Sequence, residues 1–191
     1  DKISNFYETE YSNVGRSVHT LAVKATNRFE ATRDKIQKYL NAKHREEIIF
    51  TKGATEAINL VASSYGKKYI KKGDEVLITE LEHHSNYVPW NYLRTDKGAV
   101  IKFAQINKNG DVEIEEIKKL ITNKTKIIAI THISNVTGAI LPITKIVDLA
   151  KEKNIPVLVD GTQGAPHSEI DMQKMGCDFY AISCHKMYGP N

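Results

Sequence analysis

Short runs of consecutive apolar residues alternate along the chain with longer stretches in which apolar residues recur at helical spacing. Val76-Leu77-Ile78, Ile127-Ile128-Ala129-Ile130 and Val157-Leu158-Val159 are apolar at every position. A strand that is apolar on both faces is buried on both faces, the mark of a parallel sheet covered by helices. Between such runs, Leu21, Ala25, Phe29, Ile36 and Leu40 fall near the 3.6-residue helical period. The pattern predicts helices over 18–41, 56–70, 86–95, 114–121 and 143–153, and strands over 47–50, 75–79, 99–104, 126–131, 156–160 and 179–183. Lys71-Lys72-Gly73 closes the second helix, placing cations at the negative end of its dipole and a glycine at its C-terminal turn. The expected fold class is α/β, a mostly parallel sheet with helices on both faces.

In open sheets of this kind, ligands bind beyond the carboxyl ends of the strands. Those exits collect Thr55, His83, Asn135, Asp160, Gln163, Ser183, His185 and Lys186. Gly53-Ala54-Thr55 opens a helix, so its free backbone N–H groups and the helix dipole suit a phosphate. Lys186 follows the last apolar run, and a lysine there can form a Schiff base with an aldehyde. Asp160 closes the preceding run, and a carboxylate beside a pyridine nitrogen keeps that nitrogen protonated. Such a pair is the minimal protein chemistry of pyridoxal 5'-phosphate (PLP) catalysis. Singly, each residue has a plainer role. Thr55 is a helix cap, His83 a loop or packing histidine, Asn135 and Asp160 are turn residues, and Lys186 is a surface lysine. Their convergence on one sheet edge is what favours the chemical reading.

Composition narrows the choice by exclusion. The net charge of +4 comes from lysines scattered over helical stretches, with no basic run and interleaved aromatics, so no nucleic-acid partner is expected. No apolar stretch approaches the roughly 20 residues of a membrane span. Cys177 and Cys184 give neither a disulfide framework nor a zinc spacing, which fits a reducing cytoplasm and no metal. No Gly-x-Gly-x-x-Gly follows the first strand, against a dinucleotide site.

With these residues placed, the chain resembles the cysteine desulfurases of the Suf (sulfur-mobilisation) branch, within the class V aminotransferases of PLP fold type I. The resemblance runs from Tyr11 to Pro190. It is carried by Val18-His19-Thr20-Leu21, Ile48-Ile49-Phe50-Thr51-Lys52-Gly53-Ala54-Thr55-Glu56, Glu82-His83-His84-Ser85-Asn86-Tyr87-Val88-Pro89-Trp90, His132-Ile133-Ser134-Asn135-Val136-Thr137-Gly138, Val159-Asp160-Gly161-Thr162-Gln163 and His185-Lys186-Met187-Tyr188-Gly189-Pro190. The Asp-Gly-x-Gln and His-Lys pairs mark the class, and the stretch from Glu82 to Trp90 marks the branch.

The resemblance implies a role for each residue. Lys186 holds PLP covalently and moves protons, and His83 stacks on its ring. Asp160 meets the ring nitrogen and Gln163 the phenolic oxygen. Thr55 with Ala54, Ser183 and His185 binds the phosphate, and Asn135 lies near the substrate or the cofactor oxygen. The implied reaction converts L-cysteine, or L-selenocysteine, to L-alanine. Its sulfur passes through an enzyme persulfide to an acceptor protein for iron–sulfur cluster assembly, in a homodimer. Residues 1–191 are expected to hold the N-terminal segment and most of the PLP-binding large domain, with the C-terminal small domain absent. The persulfide cysteine and an arginine for the substrate carboxylate would fall in the absent part, so the 191-residue chain alone is expected not to turn over cysteine. Gly15-Arg16-Ser17 departs from the branch, which usually flanks this arginine with histidine and glycine. The rival readings are another class V aminotransferase or PLP lyase, and a non-catalytic scaffold on the same fold. Cys184, beside His185, is a further candidate sulfur acceptor.

Overall fold

The computed structural model describes residues 1–15 and 18–189. Arg16, Ser17 and Pro190, named above, lie outside the described residues. The chain divides into two compact units.

The smaller unit, Asp1–Ile49 with Asp171–Gln173, is helical. Helix α1 (Lys2–Thr9) starts at Asp1, whose carboxylate accepts from the amides of Ile3 at 2.8 Å and Ser4 at 3.0 Å. These are two of the first-turn donors that a helix leaves unpaired. Helix α2 (Thr20–Tyr39) is the long helix expected over 18–41, and His19 Nδ1 caps it by accepting from the Ala22 amide at 3.3 Å. The strand expected over 47–50 does not form. The Glu47 carboxylate accepts from the amides of Lys43 and His44 at 3.0 and 3.3 Å, and Arg45–Glu47 becomes a 3-10 turn. A side chain that bonds its own local backbone offers an alternative to a ladder.

The larger unit, Phe50–Ile170 with Lys174–Asn191, holds the sheet. Its helices begin with α3 (Ala54–Val61), which runs through a π-helical stretch, Ala62–Gly66, into α4 (Lys67–Tyr69). Then follow β1 (Glu75–Thr79), α5 (Val88–Lys97), β2 (Val100–Ala104), α6 (Ile114–Leu120), β3 (Thr125–Thr131), α7 (Ile143–Lys151), β4 (Val157–Asp160), α8 (Gly164–His167) and β5 (Phe179–Ala181). The five strands lie in the order β2-β1-β3-β4-β5, and every pairing is parallel.

Both faces of the sheet are covered, as the unbroken apolar runs require. Leu77, Ile128, Ile130, Val157 and Val159 pack with Ile117 of α6 and Ile146, Val147 and Ala150 of α7. Their alternating neighbours Val76, Ile78, Ile127, Ala129 and Leu158 pack with Ile58 of α3 and Trp90 and Leu93 of α5. Period-two alternation splits each strand between two cores. The edge strands are less covered: β2 leaves Val100 and Phe103 open to water, and Phe179 and Tyr180 of β5 are half-buried. From β1 the chain crosses to β2 on one side, and from β3 onward it proceeds to the other. Such a reversal opens a crevice at the carboxyl ends of β1 and β3.

Candidate active site

A cavity of about 170 Å³ lies at those carboxyl ends. All nine expected residues line it: Ala54, Thr55, His83, Asn135, Asp160, Gln163, Ser183, His185 and Lys186. Ser85, Thr131, Ile133 and Thr162 complete the lining, and these were not anticipated.

Each position follows from local structure. Gly53 adopts φ +152° and ψ −179°, a region that side-chain-bearing residues rarely enter. An added Cβ there would sit 3.3 Å from Ser183 Oγ. The glycine lets β5's exit close against the start of α3, where the Ala54 amide donates to Ser183 Oγ at 2.9 Å. The result is a cradle of backbone and hydroxyl donors at a helix N-terminus, suited to an anion. Thr55 Oγ1 is 2.7 Å from Ser85 Oγ, which is 3.0 Å from His83 Nδ1. The Ser85 amide also donates to His83 Nδ1 at 3.2 Å, so Nδ1 is the acceptor nitrogen and the ring proton sits on Nε2. The cradle and the histidine are thus joined through one serine. Ser85 stands in the Glu82–Trp90 motif, and its contact with Thr55 was invisible because the two are distant in sequence.

Three side chains of the same stretch form a hydrogen-bonded chain, in which Asn86 and Trp90 are fully buried and Glu82 is half-buried. The Trp90 indole donates to Asn86 Oδ1 at 3.1 Å, and Asn86 Nδ2 donates to Glu82 Oε2 at 2.7 Å. Glu82 Oε1 also accepts from Thr79 Oγ1 at 2.6 Å and from the Thr131 amide at 2.9 Å. One carboxylate therefore ties the exit of β1 to the exit of β3. Burial pushes Glu82 up to about 7, against the pull of its hydrogen bonds from Thr79, Asn86 and Thr131, and the Asp160 charge adds to the rise.

Asp160 ends β4 and is 4% exposed. Its Oδ1 accepts from the Thr162 amide at 3.0 Å, and its other oxygen makes no hydrogen bond among the described residues. A buried carboxylate with a spare acceptor, lining a cavity, fits a protonated ring nitrogen. Lys186 lies on a 3-10 turn, Cys184–Lys186, two residues beyond the end of β5. Cys184, on the same turn, is exposed and does not line the cavity. Cys177 is half-buried, and burial pushes its thiol up to about 12, the reverse of what a thiolate nucleophile needs. The residues present thus fit a PLP-sized group with an anionic tail, an aldehyde and a basic ring nitrogen.

A wholly parallel α/β sheet with a lysine and a carboxylate at adjacent strand exits defines a class of cofactor-binding folds. The chain belongs to the class-V aminotransferase family, which matches residues 1–191. It is 47% identical over 190 residues to a probable cysteine desulfurase of Halalkalibacterium halodurans, covering all of this chain and 47% of that one. Its fold matches the apo structure of the cysteine desulfurase of Thermococcus onnurineus NA1 with a TM-score of 0.93 at 35% identity, over 99% of this chain and 47% of that one. It also matches SspA in complex with cysteine, with a TM-score of 0.91 at 27% identity, over 99% and 54% of the two chains. The chain spans about half the length of the curated relatives it matches.

Proposed function

We propose that the cavity is the PLP site of a cysteine desulfurase of the Suf type, acting in iron–sulfur cluster assembly in the cytoplasm. The observation that carries the reading is the meeting of Lys186, Asp160 and the Ala54–Ser183 cradle on one cavity. The Suf-type assignment rests on the stretch Glu82–Trp90, whose Glu82, Asn86 and Trp90 are joined by hydrogen bonds.

Lys186 Nζ would hold the cofactor through its aldehyde, and the cradle of Ala54, Thr55, Ser183 and His185 would hold its phosphate. When bound, the cofactor supplies a ring that withdraws electrons from the substrate's α-carbon. Asp160 holds the proton on the ring nitrogen, because an opposite charge stabilises the charged form. His83, fixed by Ser85, offers one ring face as a stacking surface, and Gln163 offers an amide to the phenolic oxygen. Lys186 Nζ, when uncharged, takes and returns a proton at the substrate's α-carbon. L-Cysteine, or L-selenocysteine, is the proposed substrate. An enzyme thiol takes the sulfur as a persulfide, the carbon skeleton leaves as L-alanine, and an acceptor protein takes the sulfur onward.

Among the described residues, neither a cysteine nor an arginine lines the cavity. We assign the thiol and the carboxylate clamp to groups outside this lining, and expect the 191-residue chain alone to release no alanine from cysteine. A homodimer is part of the reading. Val136 and Ile140, which flank Asn135 and Gly138, are 83% and 67% exposed, and Tyr188 after Lys186 is 94% exposed. Apolar groups beside a site in this state suit a second copy.

The test is spectroscopic. Adding PLP should give a near-visible absorbance band, and borohydride should fix the cofactor on the peptide carrying Lys186. Lys186→Ala should lose both. A colourless protein at saturating PLP would favour the non-catalytic scaffold.

A further inference from the structure

The turn that carries Asp160 and Gln163 contains two glycines, Gly161 and Gly164, and both are pressed against rings. A Cβ at Gly161 would lie 2.1 Å from Tyr180 Cε1, and one at Gly164 would lie 2.2 Å from His132 Nδ1. Those two rings are themselves joined, His132 Nδ1 lying 2.9 Å from the Tyr180 hydroxyl. Backbone bonds complete the frame. The His132 amide donates to the Asp160 carbonyl at 2.9 Å, the Gly161 amide to the Ala181 carbonyl at 2.8 Å, and the Ala165 amide to the Gly161 carbonyl at 2.8 Å. His132 stands at the exit of β3 and Tyr180 lies within β5, so the pair comes from the two strands that flank β4. Neither ring lines the cavity.

We propose that His132 and Tyr180 are positioning residues. Their hydrogen-bonded pair forms a backstop that sets the depth of the Asp160–Gln163 turn, and through it the carboxylate at the ring nitrogen and the amide at the phenolic oxygen. The inference rests on the PLP reading and adds to it a layer behind the cofactor-facing residues. The chemistry of the pair suits the task. The groups facing it are Asp160 and Cys177 beside Tyr180, and burial keeps both Tyr180 and His132 in their neutral forms near neutral pH. A neutral phenol and a neutral imidazole can hold one geometry across that range. The two glycines are required because any side chain at either position would displace a ring and loosen the pair.

Tyr180→Phe keeps the ring against Gly161 and removes only the hydroxyl. His132→Leu removes the partner, and His132→Asn restores an acceptor close to the place of Nδ1. PLP affinity should fall about tenfold in Tyr180→Phe and in His132→Leu, the scale of one buried hydrogen bond. In both, the pH midpoint of the absorbance band should move, because the Asp160 contact sets the charge on the ring. His132→Asn should recover most of the affinity and the midpoint. A pair that serves stability alone would lower the melting temperature of the variants and leave affinity and midpoint at wild-type values; that result would overturn the inference while the PLP reading stands. A wild-type chain that takes up no PLP would overturn both.

Discussion

Each end of the parallel sheet holds a carboxylate within a set of hydrogen bonds, and the two ends treat it in opposite ways. At the amino ends of the strands, Glu75 is 8% exposed and fully answered. Its Oε1 lies 3.0 Å from Lys102 Nζ, and its Oε2 accepts from Thr122 Oγ1 at 2.5 Å and Thr125 Oγ1 at 3.2 Å. Burial raises its proton affinity, yet the hydrogen bonds from Thr122 and Lys102 and the Lys102 charge outweigh it, and Glu75 titrates below the usual range. At the carboxyl ends, Glu82 receives three neutral donors and, among the described residues, no cation; burial, with the Asp160 charge adding, pushes it up to about 7. A charge met by a countercharge is settled structure. A carboxylate held by neutral donors beside a second carboxylate keeps electrostatic energy available to whatever enters the cavity.

The sharpest way to test this contrast is through proton linkage at Glu82. The unfolded chain releases its proton near the ordinary value of 4.5, and the folded chain holds it up to about 7. The native state therefore binds more protons than the unfolded state across that window, and stability falls as pH rises through it. The full loss is about 3 kcal/mol. Glu82→Gln removes this term, so its stability relative to wild type should climb between pH 4.5 and 7 and level off above, as urea melts would show. A difference that stays flat with pH would place Glu82 in the same settled state as Glu75.

The opposite end should answer in the opposite sense. Lys102→Met leaves Glu75 with hydroxyl partners and no charge. The pair is partly open to water, so the expected loss is about 2 kcal/mol, less than for a fully enclosed pair. Glu75 contributes stability that is present above its ordinary value and lost as pH falls through its lowered one. In Lys102→Met that acid-side slope should shrink. An unchanged acid limb would mean that the hydroxyls alone hold Glu75.

How much of this was legible beforehand depended on range. β1, β3 and β4 were plain because continuous apolar runs such as Ile127-Ile128-Ala129-Ile130 have few other homes than a doubly covered sheet. The exits followed from the strands, and eight lining residues followed from the exits, with Ala54 coming from the helix start beside Thr55. The strand expected over 47–50 failed because Glu47's bonds to Lys43 and His44 are local side-chain choices that apolar pattern does not encode. Glu82 entered only as the first residue of the stretch that marks the branch, and no role for it was visible because its anchor at Thr131 lies 49 positions away. Tyr180 fell inside the expected strand 179–183 with no role of its own, since its partner His132 lies 48 positions away. Residues that face the cavity carry motif signals; residues that brace those residues need the fold.

The smallest expected effect falls on Asp160, and it separates repulsion from burial as the source of Glu82's behaviour. The Asp160 charge lifts Glu82 after burial does, and among the described residues no hydrogen bond joins the two side chains. Asp160→Asn keeps the shape and an acceptor for the Thr162 amide, so global stability should change by less than about 1 kcal/mol. What should move is the midpoint of the Glu82 transition, which falls because a neutral neighbour no longer opposes ionisation. The shift should be a small part of the total rise, since burial dominates it. Comparing the pH dependence of urea melts for Asp160→Asn with and without Glu82→Gln isolates that shift. A midpoint that does not fall would leave burial as the whole cause, and the carboxyl-end carboxylates would then behave as two separate sites.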